Sequence, residues 1–364
     1  MLVHEPCALM LSGPTVSPSL RVILTLVMAY AAARLCVALQ TPLPWMIGPL
    51  LITAVLSVFG APTSSWIPLR NTAQWTIGAA LGMYFTPQVS ALVVSLWWVV
   101  VLSVVWSLAL GYGYGRWLYR CNASRVPGLD RVTTYFSSLI GGASEMTLLA
   151  EREKARTDLV ASAHSLRILI VTVTVPVAMQ WSGWHGLDVA SAPQRVFDAW
   201  GLMQLAAITG VSAWVMKQLR RSNPWFVGAL VASIVLATNQ IMLSSIPTWM
   251  TNGAQMVIGV SLGVRFTSQF VHTAPRWLMS VAVGTLSMIV LCALFSLVLS
   301  QLTQLPVATM ILASAPGGIA EMAITAKVLQ LGVAVVTALQ VCRVIAVLFL
   351  ADPLFRWLRG RGHF

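Results

Sequence analysis

The sequence predicts an all-α polytopic membrane protein, an inverted repeat with about five crossings and one broken or re-entrant element per half. Three observations predict it: a strongly apolar composition, an internal duplication, and the placement of the basic residues. Of the 364 residues, 58% are hydrophobic and 9% charged, where a soluble domain carries about 45–50% and about 25%. Mean hydropathy is +0.82. From Val89 to Gly115 there is no charge, and about 20 predominantly apolar residues span a bilayer as a helix. A soluble core and a nucleic-acid-binding domain are therefore poor readings. The net charge of +12 sits mostly in short loops, as expected of loops facing anionic lipid on the cytoplasmic side.

The duplication is explicit. Gln74–Thr86 recurs as Gln255–Thr267 with seven of thirteen positions identical, and Pro44-Trp-Met-Ile-Gly48 answers to Pro224-Trp-Phe-Val-Gly228. Gly141-Gly-Ala-Ser-Glu-Met146 answers to Gly317-Gly-Ile-Ala-Glu-Met322, and Arg167 falls on Arg343 at the same offset of 176. Polar residues in register set this apart from the chance similarity of apolar runs.

Each half holds six apolar segments, near 20–39, 43–60, 71–86, 88–115, 132–150 and 159–182, then 199–216, 224–243, 250–264, 277–300, 306–326 and 331–350. Charge placement decides how many cross. Outside the segments lie 19 of the 22 Lys and Arg. If all twelve segments cross, these divide evenly between the two sides. If the fifth of each half enters and leaves on one side, all but Arg195 and Lys327 fall inside. The second arrangement predicts cytoplasmic termini, five crossings per half and inversion of the second copy. The expected organisation is a loose leader (1–19), a first membrane repeat (20–182), an external loop (183–198), a second repeat (199–357) and a basic cytoplasmic tail (358–364).

The fifth segments carry Gly141-Gly142 and Pro316-Gly317-Gly318 at their middles. Pro lacks a backbone donor and Gly is a poor helix former, so each segment divides into half-helices of about nine residues. A re-entrant hairpin and a broken helix both fit. Either puts helix ends near the midplane, the usual place of a secondary carrier's site. Freed N–H groups there favour an anion and freed carbonyls a cation.

The candidate substrate- or ion-binding residues are therefore Gly141, Gly142, Ser144, Glu145, Pro316, Gly317, Gly318 and Glu321, with Arg167 and Arg343 in the following segments. A carboxylate at membrane depth is a candidate proton or sodium site, but each Glu also stands three residues after its glycine pair, where it caps a helix. The arginines either pair with these glutamates or receive a substrate carboxylate or phosphate. His164 stands where the second copy has Gln340 and reads best as a polar packing residue. The Gly78/Gly82 and Gly259/Gly263 spacings read as helix packing, and the 15 tryptophans mostly as interfacial anchors. No metal-ligand cluster, cofactor motif, disulfide framework or Walker loop is evident.

At the repeated Gly-Gly-x-x-Glu-Met and Pro-Trp-x-x-Gly motifs the chain resembles the AbrB-type duplicated membrane proteins of bacteria, from about residue 20 to 357. Ala315-Pro-Gly-Gly-Ile-Ala-Glu-Met322 is the most specific stretch. The family is distinct from the small soluble DNA-binding regulator of the same name. Its members are often labelled ammonia monooxygenases or regulators of gene expression. It is also distantly similar to the cation–proton antiporter and anion transporter group, whose crossed, broken helices would place the glycine-pair segments at the crossing. The expected function is an inner-membrane secondary carrier of a small solute, coupled to protons or sodium. A membrane-embedded sensor is the alternative, and an ammonia-oxidising enzyme comes last. The expected partners are the solute, its coupling ion and the bilayer, with no nucleic acid; a homo-oligomer is compatible with the sequence.

Overall fold

The computed structural model describes residues 17–183, 197–219, 223–268 and 275–361. Most of the expected leader, the external loop, residues 269–274 and the last three residues lie outside these. Fifteen α-helices and no strand occur among the described residues. The first half comprises α1 (Pro18–Ala38), α2 (Pro44–Val58), α3 (Ile67–Gly82), α4 (Pro87–Ser95), α5 (Trp97–Asn122), α6 (Arg131–Ser138), α7 (Ala143–Arg152) and α8 (Thr157–Ser182). The second comprises α9 (Ala199–Gln218), α10 (Pro224–Thr238), α11 (Thr248–Gly263), α12 (Pro275–Thr303), α13 (Val307–Ser314), α14 (Ile319–Val328) and α15 (Val333–Gly360).

Six helices, α1, α5, α8, α9, α12 and α15, are long and apolar enough to cross a membrane. Their outer faces are apolar too: Ile23, Val27, Val105, Met203, Val211 and Val290 are among many exposed large side chains, which in water would be an aggregation surface. Exposed Trp66, Trp97, Trp181, Trp200, Trp249 and Trp357 lie at or near helix ends, where anchors belong. Trp277, by contrast, is fully buried, with its indole N–H donating to the Leu159 carbonyl (3.3 Å).

Three expectations are corrected. The uncharged 88–115 run is not one helix: Thr86 caps a new start, accepting from the Val89 N–H, and α4 turns 90° from α3 before α5 begins at Trp97. The segments expected at 43–60, 71–86, 224–243 and 250–264 form helices of only 15 or 16 residues, about 23 Å of rise, shorter than a full crossing. The last helix does not stop near residue 350 but runs to Gly360, into the start of the expected tail.

The two halves pack by exchange. Gly78 and Gly82 of α3 lie against α10, where a Cβ would stand 3.1 Å from the Phe226 carbonyl carbon and 2.6 Å from the Leu230 oxygen. Gly259 and Gly263 of α11 lie against α2, with Leu50 backbone atoms 3.2 and 2.7 Å from the same hypothetical positions. Within each half, Gly48 sits on Ala32 of α1 and Gly228 on Ala213 of α9, so the glycine of each Pro-Trp-x-x-Gly motif lets two helices touch backbone to backbone.

The fifth segments divide where expected, into half-helices of eight and ten residues in both copies. In the first copy the open choice resolves to a hairpin. The Thr133 hydroxyl, at the start of α6, accepts from the Arg156 N–H just before α8 (3.0 Å), and the Arg156 guanidinium donates to the Pro127 carbonyl (2.8 Å). Chain entry into α6 and exit from α7 thus lie together. The second copy repeats the register: α8 and α15 each contact the preceding half-helix, α6 or α13, at separations of 28 and 29 residues.

Candidate functional site: the glycine breaks and their cavity

The Gly-Gly-x-x-Glu-Met motif is a packing unit. A Cβ on Gly141 would meet Met146 Cε at 2.7 Å, and one on Gly317 would meet Met322 Cε at 3.0 Å. A Cβ on Gly142 or Gly318 would overlap the carboxylate of Glu145 or Glu321. The first glycine makes room for the methionine and the second for the glutamate. Each glutamate is the third residue of its half-helix. This is the geometry of a carboxylate closing the positive end of a helix. Glu321 is buried and Glu145 half-buried. The Ser144 side chain lies outside the described residues, and Pro316 is buried between α13 and α14.

The arginines cap the other side of each break. Arg167 Nη1 donates to the Ser138 (3.3 Å) and Leu139 (2.9 Å) carbonyls, and Nη2 donates to His164 Nδ1 (2.7 Å). Arg343 Nη1 donates to the Ser314 (3.0 Å) and Ala315 (2.8 Å) carbonyls, and Nη2 to Gln340 Oε1 (2.6 Å) and the Gly317 carbonyl (3.4 Å). The expected pairing of these arginines with Glu145 and Glu321 does not form: no ion pair among the described residues includes Arg167 or Arg343. Carbonyls released where a half-helix ends carry negative partial charge, and a guanidinium covers two of them at once. Both arginines are buried, so they are not open to a solute.

His164 and Gln340 explain each other. The His164 Nε2–H donates to the Phe136 carbonyl (2.9 Å) while Nδ1 accepts from Arg167. The Gln340 amide donates to the Leu312 carbonyl (2.7 Å) while its oxygen accepts from Arg343. Each side chain supplies one donor to a helix-end carbonyl and one acceptor to the arginine, which neutral imidazole and carboxamide do equally well. The two breaks are neighbours, for a Cβ on Gly317 would stand 3.0 Å from Val171 of α8.

A cavity of about 450 Å³ opens beside the first break. It is lined by Ala143 and Thr147 of α7, by Asp158, Ala161, Ser162 and Ser165 of α8, and by Arg265 just beyond α11. It thus reaches from the start of α7 at the glycine pair to the first turn of α8. The repeat offset maps Asp158, Ser162 and Ser165 onto Ala334, Ala338 and Val341, and Arg265 aligns with Tyr84. That second place is filled by an apolar cluster in which Phe85, Val89, Ala334 and Ala338 are buried against Tyr84. One copy of the site is open and polar; its twin is shut and oily.

Arg265 is the residue that reading the sequence missed. It sat inside the repeat as the one arginine facing a tyrosine, Gly-Val-Arg-Phe against Gly-Met-Tyr-Phe, and beside a helix end it read as ordinary loop charge. A smaller cavity, about 200 Å³, lies between α5 and α6 and is lined by Arg116, Arg120 and Arg131 with Tyr112, Tyr119 and Tyr135; it does not reach the glycine pairs.

A sequence model of the family described as "Transition state regulatory protein AbrB" matches residues 45–359. The chain belongs to the AbrB family. Two relatives match most of the chain. "Uncharacterized protein YhjN" of Bacillus subtilis (strain 168) is 26% identical over 339 residues, 86% of this chain and 87% of its own. "Putative regulator AbrB" of Escherichia coli (strain K12) is 24% identical over 328 residues, 88% of this chain and 91% of its own. No solved structure matches the chain.

Proposed function

We propose that this AbrB-family protein is an inner-membrane secondary carrier, with both termini cytoplasmic, moving a small solute by alternating access with proton or sodium coupling. The observation that supports this reading is the inequality of the two equivalent places, a cavity at one and apolar packing at the other. A duplicated fold whose halves exchange roles needs one site open to one side while the other is closed. Here Ser162 and Asp158 line open space while their equivalents Ala338 and Ala334 are packed under Tyr84 and Phe85. The charge count puts the open cavity on the cytoplasmic side. The glutamate-capped half-helices are the pieces whose rearrangement would swap the two states. Proton or sodium coupling belongs to Glu321 and Glu145, the carboxylates at the breaks.

A sensor is the second reading, favoured by the regulatory names of the family and of the Escherichia coli relative. A sensor needs a pocket open to one side only. Single cysteines at Ser162 and Ala338, in a cysteine-free background, separate the two when probed with an impermeant maleimide in vesicles of both orientations. A carrier gives Ser162→Cys labelling from one face and Ala338→Cys from the other, with opposite responses to pH or to sodium replacing potassium. Ala338→Cys silent from both faces under all conditions would leave only the sensor.

A further inference from the structure

The open cavity holds a cation without an assigned task. Arg265 follows α11 directly, is half-buried, and lines the cavity rather than the lipid face. No carboxylate among the described residues lies within 4 Å of its guanidinium. Glu321 and Arg70 are within electrostatic reach of it. The cavity's own acid, Asp158, is already engaged: Arg156 Nη2 donates to it at 2.6 Å and Arg156 Nε at 3.3 Å. With Asp158 held by Arg156, Arg265 is the cavity-lining cation that no lining carboxylate meets in an ion pair. A half-buried guanidinium on an open cavity attracts an anion and repels a cation.

We propose that Arg265 receives the carboxylate of a small monoanionic solute in the cavity between α7 and α8. This rests on the carrier reading for the solute's path but not for its binding. The guanidinium fork matches a carboxylate by two parallel hydrogen bonds. Thr147, Ser162 and Ser165 line the same cavity and supply hydroxyls to a second polar group on the solute. At about 450 Å³ the space suits a small metabolite. A dianion fits the local balance less well, since Glu321 stands near the guanidinium. The twin site makes the same point by contrast: where Arg265 becomes Tyr84 and the serines become Ala338 and Val341, the space is closed by apolar contacts.

The test uses the full-length protein in detergent and in vesicles. Sodium acetate, lactate, succinate and phosphate are compared with sodium chloride at equal ionic strength. The expected result is that acetate or lactate slows maleimide labelling of Ser162→Cys and raises the melting temperature, and that chloride does neither. In Arg265→Gln the protection weakens about tenfold or more, as loss of a charge-assisted hydrogen-bond pair implies; Arg265→Lys retains part of it. Monocarboxylates no better than chloride, or equal protection in a monodisperse Arg265→Gln, would overturn the proposal. If Arg265→Gln does not fold, the labelling result in the Arg265 background still decides. Reciprocal Ser162/Ala338 labelling without carboxylate protection would keep the carrier and discard this site. Protection with Ala338→Cys silent throughout would keep the site and discard the carrier.

Discussion

The side chains around each glycine break do a small set of jobs, and each is done twice. An arginine covers the two carbonyls at the end of the first half-helix. A glutamate sits at the start of the second, and a methionine fills the space under the first glycine. His164 and Gln340 hold the arginines in place through one donor and one acceptor each. Because a carboxamide reproduces both bonds, His164→Gln changes stability by less than about 1 kcal/mol, whereas His164→Leu leaves a buried carbonyl and a guanidinium N–H unpaired and costs about 1–3 kcal/mol. Thermal unfolding of the detergent-purified variants checks this. Equal losses in both would mean that ring packing, not hydrogen bonding, is what His164 supplies.

Among the elements, the short helices α2, α3, α10 and α11 carry the largest part of the contact between halves. With no water to expel between lipid-facing helices, their association depends on close van der Waals fit. Gly82 and Gly263 sit where a Cβ would meet Ser233 and Thr53, the latter at 2.7 Å, besides the backbone of the facing helix. A leucine at either position separates the pair; the expected cost is about 2–3 kcal/mol, read as a lowered melting temperature for Gly82→Leu and Gly263→Leu alike. If one tolerates leucine and the other does not, the exchange of α3 and α11 between halves is energetically unequal. The Thr86-Pro87 start of α4 was a readable signal, since Thr caps and Pro favours the first helical position. The end of α4 at Ser95 was not, because nothing in the run from Val89 to Gly115 breaks an apolar helix before Gly111.

For the whole molecule, orientation rests on the basic residues. Reporter tags placed after Asn122, after Leu219 and at the C-terminus are expected on the same face if, as the charge placement predicts, an odd number of crossings per half inverts the second copy. A tag at 219 facing away from the C-terminus would remove the inversion, and with it the basis for assigning the open cavity to the cytoplasm. The alternating-access reading belongs to this scale as well: the difference between the open cavity and its packed counterpart is a property of the pair, visible in neither half taken by itself.

The sequence by itself determined the membrane class, the duplication and the position of both breaks. These are set by composition and by local backbone chemistry: apolar length, the missing donor of Pro316, the poor helix propensity of Gly141-Gly142 and Gly317-Gly318. The tertiary structure alone decided which partners the buried charges take. Arg167 and Arg343 were in the right segments, but their hydrogen bonds go to carbonyls 28 and 29 residues away rather than to Glu145 and Glu321. Arg265 looked like loop charge until α11 was seen to deliver it to a cavity formed by α7 and α8, whose lining residues lie between Ala143 and Ser165. Periodicity and propensity act over a few residues, whereas a buried charge is satisfied by whatever the packed chain brings within about 3 Å, and that is fixed only when the helices meet.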